Sequence, residues 1–289
     1  MFEGFEVRRI ETTETSIHLR IGGSGSPLLL LHGYPQTHVM WHKIAPALSE
    51  HFTVVAADLR GYGESGKPPG GEGHRAYAKR TMARDQVEVM ARLGFERFRL
   101  VGHDRGARVS HRLALDHPDR VERLALLDIA PTLTMYRQTD QVFATAYYHW
   151  FFLIQPYDLP ERMIAADPDY YLEKKIAKWQ KAGGDTFTAE ALAAYQRCFR
   201  DPATIHATCE DYRAAATIDL THDETDLARK IACPLLVLWG AEGVIERCYD
   251  VLQVWRERAD NVTGKALPCG HFLAEEVPEE TLSELLSFL

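Results

Sequence analysis

Short apolar runs recur along the chain, each closing on glycine or a polar residue: SPLLLLHG (26–33), FTVVAADLRG (52–61), FRLVGHDRG (98–106), RLALLDIAP (123–131) and CPLLVLWG (233–240). Continuous rather than alternating apolarity is the pattern of strands buried on both faces, as in a parallel sheet. Between them lie amphipathic stretches, TMARDQVEVMARLG (81–94) and ARVSHRLALDHP (107–118), that end on Gly or Pro as helices do. Strand and helix in alternation predict a mostly parallel, doubly wound α/β sheet. The alternation stops after Pro131 and resumes near Ile231. The intervening stretch is rich in Tyr, Trp, Phe and Ala, and FATAYYHWFFLIQP (143–156) and LEKKIAKWQKAG (172–183) read as helical. Both flanks return to one core, so we expect a helical cap over residues 133–218, inserted between core segments 1–132 and 219–289. Ligands of such sheets bind beyond the carboxyl ends of the strands, where this cap would lie.

At 289 residues, 46% hydrophobic and 26% charged, the chain is long enough and apolar enough to bury a large core. A net charge of −8 gives no general attraction for nucleic acid or an anionic membrane, so neither is expected as a partner. A small anionic ligand would then need its own local cations. The five cysteines, Cys198, Cys209, Cys233, Cys248 and Cys269, have no CxxC pairing and read as reduced thiols. The opening MFEGFEVRRI lacks the apolar segment of a secretory signal, and no stretch is long enough to span a bilayer, which predicts a cytoplasmic protein.

Between a predicted strand and a predicted helix stands Gly102-His103-Asp104-Arg105-Gly106, a glycine-flanked nucleophile elbow. Esterases carry Ser at the centre. A carboxylate there changes the chemistry to attack on an alkyl carbon, leaving Asp104 esterified. Asp is also a favoured helix N-cap, but the partners follow in the expected order. Asp128 ends RLALLDIAP, and His271 lies in LPCGHF near the C-terminus. A neutral His271 can take a proton from the water that hydrolyses the ester, with Asp128 orienting the ring. Glu242, in WGAEG, is the competing position for the acid. The loop His32-Gly33-Tyr34-Pro35 and the elbow itself supply the expected oxyanion donors, the backbone N–H groups of Tyr34 and Arg105.

Arg105 and Arg108 are three apart at the start of the predicted elbow helix, so they project to nearly the same side. That end carries positive partial charge, and a cation there costs about 0.3 to 1 kcal/mol. A bound carboxylate would explain both, because guanidinium groups grip carboxylates through charge-assisted bonds worth about 1.5 to 3 kcal/mol each. The same charges would keep Asp104 ionised. Arg112, one turn further on, reads as structural.

With Asp104, Arg105, Arg108, Asp128 and His271 assembled, the chain resembles the fluoroacetate (haloacetate) dehalogenases of the α/β-hydrolase superfamily along almost its whole length. The resemblance implies hydrolytic dehalogenation of haloacetates, including fluoroacetate to glycolate and fluoride, with no metal or organic cofactor and a homodimeric assembly. It also implies that His149, Trp150 and Tyr212, in YYHW and CEDYRAAATID, donate hydrogen bonds to the departing halide, and that Trp179 and Tyr147 wall the pocket. The chief alternative is an epoxide hydrolase, which uses the same Asp-His-Asp triad and often the HG-x-P element present here as HGYP. Tyr147 or Tyr148 with Tyr212 would then have to protonate the epoxide, and the arginine pair would have no purpose. Haloalkane dehalogenases usually carry Trp where this chain has Arg105, and a non-catalytic acid-binding protein would not need both Asp104 and His271.

Overall fold

The structure is a computed structural model describing residues 1–181 and 186–289. Eight strands form one sheet in the order β1-β2-β4-β3-β5-β6-β7-β8. The five apolar runs form β3 (Ser26–Leu31), β4 (Phe52–Ala57), β5 (Phe98–His103), β6 (Val121–Leu127) and β7 (Leu235–Gly240). Neighbouring strands from β4 to β8 are parallel, with pairs such as Leu29 to Val55, Leu30 to Val101 and Leu127 to Leu238. Leu28 to Leu31 are fully buried, as a strand covered by helices on both faces requires.

Three strands, the two at the sheet's edges and β2 beside one of them, were not legible as apolar runs. The strands β1 (Glu6–Glu11) and β2 (Ser16–Gly22) pair antiparallel with each other, and β2 pairs antiparallel with β4. At the other edge β8 (Val262–Leu267) alternates exposed and part-buried positions. An edge strand needs cover on fewer sides, and these carry charge as edge strands commonly do; Glu6, Arg8 and Arg9 of β1 are examples.

Between β6 and β7 runs a succession of helices from Thr132–Arg137 to Ile218–Thr225. The stretch expected as a single helix over 143–156 is instead two short ones, Gln141–Ala146 and Tyr148–Phe152, broken at Tyr147 (φ −100°, ψ 32°). There the Tyr147 ring stacks on Phe143 and Trp179, and the break leaves His149 and Trp150 buried while Tyr148 faces solvent. The later helix spans Pro168–Trp179; Ala182 and Gly183, also expected in it, lie outside the described residues. Among the described residues no helix is long and apolar enough to cross a membrane.

The β5-to-helix corner is packed too closely for side chains at its glycines. A Cβ on Gly106 would lie 2.4 Å from the carbonyl oxygens of both Leu31 and His32, and one on Gly102 would lie 2.7 Å from Ala107 Cα. Because the Gly106 N–H also donates to His32 O at 2.8 Å, the elbow helix sits directly on the end of β3. Gly106→Ala must therefore push backbone against backbone. It is expected to destabilise the fold by about 1 to 3 kcal/mol, measured by chemical denaturation.

Candidate active site

The elbow presents its carboxylate by strain at one residue. Asp104 begins the helix Asp104–Asp116 with φ +44°, a conformation that non-glycine residues rarely adopt. Opposite it Gly33 approaches so closely that a Cβ would meet Asp104 Cβ at 2.6 Å. The Tyr34 N–H donates to Asp104 Oδ2 at 3.0 Å, so the predicted oxyanion donor already holds the elbow carboxylate. The Arg105 N–H, the other predicted donor, belongs to the first turn of the helix, where no intrahelical acceptor exists.

His271 and Asp128 meet behind this carboxylate. His271 Nδ1 lies 2.5 Å from Asp128 Oδ2, whose other oxygen accepts from the Gly240 N–H at 3.0 Å. Asp128 too has positive φ, +52°. The buried His271 Nε2 is left without a partner among the described residues. Glu242 is placed elsewhere: its side chain is half exposed and pairs with Lys181 at 2.6 Å.

Burial alone would raise the Asp104 pKa and lower that of His271. For Asp104, His271 followed by Arg108 and Arg105 outweighs burial and holds the carboxyl below its ordinary 3.8. For His271, the bond and charge of Asp128, then the charge of Asp104, outweigh burial and raise the ring above 6.5.

Sequence reasoning missed two supports of this ring. His103 is driven down to about 3, chiefly by burial, so it is neutral, and its Nε2 lies 2.8 Å from the His271 carbonyl. The His271 N–H donates to Trp179 O at 2.9 Å, fastening the histidine loop to the cap helix. His103 stands inside the elbow motif, but only the fold brings it to His271.

The two arginines separate in role. Arg105 is fully buried and forks onto Asp211, with Nε to Oδ2 and Nη2 to Oδ1 both at 2.8 Å. Asp211 also accepts from Tyr62 Oη at 2.6 Å and from Lys79. The expectation that Arg105 needs a ligand to explain its placement therefore requires correction, since a protein carboxylate already pairs with it; only Nη1 is left without a partner. Asp211 was overlooked although it directly precedes Tyr212. Arg108 keeps its need. It is buried, its Nη1 donates to Ala130 O (3.1 Å) and Thr132 Oγ1 (3.0 Å), and its Nε has no partner. Among the described residues no carboxylate is in ion-pair contact with it, and a buried guanidinium so placed is costly unless an anion arrives. Arg112 reaches Asp223 at 2.7 Å and Asp226 at 2.6 Å, tying the elbow helix to the Ile218–Thr225 helix.

The cap residues named from the sequence converge on the same place. His149 Nδ1, Trp150 Nε1 and Tyr212 Oη are all buried without partners among the described residues. Burial holds His149 well below 6.5 and Tyr212 well above 10, so the imidazole is neutral and the phenol keeps its proton. The rings interlock with the arginines: Arg105 lies 4.1 Å from the Tyr212 ring centroid and Arg108 4.6 Å from that of Trp150. Trp179 closes the space, 4.6 Å from His149 and 5.2 Å from His271 between ring centroids. Tyr147 packs beside Trp179 at 5.7 Å.

A parallel sheet, a carboxylate at a strained strand-helix corner, and an acid and histidine on later strand ends define an α/β hydrolase with an aspartyl centre. Residues 26–278 match the family model described as the alpha/beta hydrolase fold, and the chain belongs to that family. A fluoroacetate dehalogenase from Burkholderia sp is 49% identical over 100% of this chain and 95% of its own length. A soluble epoxide hydrolase from Corynebacterium sp. (strain C12) is 35% identical, covering 94% of this chain and 93% of its own. Among solved structures, one from Nostoc sp PCC 7120, described provisionally as an alpha/beta hydrolase, superposes with a TM-score of 0.98 at 66% identity, covering 100% of this chain and 99% of that one.

The geometry makes Asp128, not Glu242, the group that sets His271. In an NMR titration the His271 ring should change protonation above pH 6.5. Asp128→Asn should move that midpoint down, because it removes the charge favouring the imidazolium. Glu242→Gln should leave it in place.

Proposed function

We propose that this chain is a haloacetate dehalogenase that hydrolyses fluoroacetate to glycolate and fluoride. The observation that carries the reading is the pairing of an ionised, buried Asp104 with a buried Arg108 that lacks a protein carboxylate. A short haloacid is both an anion for Arg108 and an electrophile for Asp104. The 49% identity to a fluoroacetate dehalogenase over the full chain supports the same conclusion.

In the first step an Asp104 carboxylate oxygen attacks the carbon bearing the halogen. The new O–C bond forms as the C–X bond breaks in line, and halide departs with the bonding electrons. Arg108, with the spare Nη1 of Arg105, holds the substrate carboxylate and so fixes the attacked carbon over Asp104. Fluoride is strongly hydrated in water and leaves poorly without replacement donors. His149 Nδ1, Trp150 Nε1 and the Tyr212 hydroxyl supply three donors that lack partners among the described residues. They sit on the rings that touch the arginines, so both ends of a two-carbon acid are gripped at once.

In the second step His271 Nε2 takes a proton from water, whose oxygen attacks the Asp104 ester carbonyl carbon. The oxyanion forms on Asp104's own oxygen, which the Tyr34 N–H already reaches. Collapse expels glycolate and restores Asp104. The helical segment 133–218 acts as the cap that seals this chemistry from bulk water, and no step calls for a metal or organic cofactor.

The epoxide hydrolase reading is weaker because it gives the buried Arg108 no anion to hold; of its two candidate second tyrosines, Tyr148 is 41% exposed and only Tyr147 is buried beside His149 and Trp179. An ion-selective electrode should record fluoride release from fluoroacetate, while styrene oxide and a chloroalkane are left intact. Hydrolysis of styrene oxide alone would reverse the choice. His271→Asn should stop after one turnover, with the Asp104 ester visible by intact-protein mass. Arg108→Leu should raise KM for fluoroacetate about tenfold or more while the protein stays folded, as the loss of a charge-assisted bond of about 1.5 to 3 kcal/mol implies. An unchanged KM would remove Arg108 from carboxylate recognition.

A further inference from the structure

The cap contains a buried lysine amine that the two-step reaction does not use. Lys175 is 1% exposed on the helix Pro168–Trp179, and its Nζ makes no hydrogen bond or ion pair among the described residues. It is enclosed by ring faces: Nζ lies 3.9 Å from the centroid of Tyr148, 4.8 Å from Trp179 and 5.8 Å from Tyr171. Leaving a buried amine unsatisfied costs free energy, and π faces satisfy its N–H groups poorly. Such a site is completed by an anion that arrives together with a proton.

The position of the cage identifies the anion. Trp179 contacts both the Lys175 amine and, at 4.6 Å between ring centroids, His149 of the donor pocket. On the other side the Tyr148 ring reaches the surface, with the exposed Lys178 amine 5.0 Å from its centroid. Donor pocket, caged amine and surface lysine thus form a line from the buried centre to solvent.

We propose that Lys175 is a second halide site, which receives the anion leaving the His149, Trp150 and Tyr212 pocket and passes it outward past Tyr148. The inference rests on the haloacetate reading. No bond to carbon is made or broken in this step. The halide is already free, a solvent proton joins the amine, and proton and anion leave together. In the resting protein burial, followed by Lys178, pushes the amine down to about 6, so it is largely uncharged near neutral pH. A station that charges only when occupied binds halide briefly without competing for the substrate carboxylate, which has stronger partners at the arginines.

Bromide is the probe, titrated into the resting enzyme at constant ionic strength and read by tryptophan fluorescence, since Trp150 and Trp179 border the path. Lys175→Met keeps the volume and removes the amine. The bromide dissociation constant should rise about tenfold. KM for fluoroacetate, set at the arginine end, should move less than the bromide constant. Tyr148→Leu, at a half-exposed position that folding tolerates, opens the cage and should weaken bromide binding in the same direction. Should Lys175→Met fail to fold, Tyr148→Leu decides. Bromide constants within roughly twofold of wild type in the folded variants would overturn the proposal. If wild-type enzyme releases no fluoride, the haloacetate reading fails, while the bromide titration still reports on Lys175.

Discussion

The site depends on keeping one carboxylate ionised where water is scarce. Burial opposes charge on Asp104, and the surrounding fold supplies what outweighs it: His271, Arg108 and Arg105 by their fields and the Tyr34 N–H by a direct bond. Each of these is placed by backbone rather than by chance rotamers. The strand β5 aims the elbow, the end of β3 carries Gly33 and Tyr34, and the end of β6 carries Asp128. Of the four non-glycine residues at positive φ among the described residues, two, Asp104 and Asp128, carry the two carboxylates of the centre.

The same demand explains the buried ion pair of Arg105 with Asp211. A guanidinium brought next to Asp104 with no other partner would tend to fold onto it and block attack. Forked onto Asp211, with Lys79 and Tyr62 completing that carboxylate, Arg105 contributes its field and the Nη1 amino group while its position stays fixed. Arg108 is held only by a carbonyl, a hydroxyl and a thioether, weak partners that a substrate carboxylate can outbid. In the proposed reaction one arginine is structural support with a polar edge, and the other is the docking point.

The parts of this arrangement that were readable from sequence are those encoded locally. Continuous apolar runs revealed β3 to β7 because strands covered on both faces need apolar residues at every position, whereas β1 is exposed almost throughout, β2 mixes polar with apolar residues and β8 alternates, so none of them formed such a run. The elbow was legible because Gly102 and Gly106 stand where a Cβ would strike backbone or a neighbouring side chain. Asp128 and His271 followed from chain order. Asp211 could not be paired with Arg105, since 106 residues separate them and nothing local marks the contact. The break at Tyr147 was invisible for a related reason: it answers to stacking on Trp179 from another helix, and the local pattern alone favours a continuous helix.

Asp104 is also a switch for its own hydrolysis. In the resting enzyme its charge is one of the influences that raise the His271 pKa, and a protonated ring cannot act as a base. Formation of the ester consumes that charge, because the carboxylate becomes a neutral acyl oxygen pair. Asp128 remains in place, so the ring stays oriented, but with one anion fewer nearby the imidazolium is less favoured and Nε2 is more readily free to accept a proton. The first step thereby prepares the base for the second. His103 reinforces this order, for it is neutral throughout and fixes the His271 backbone without adding a charge of its own.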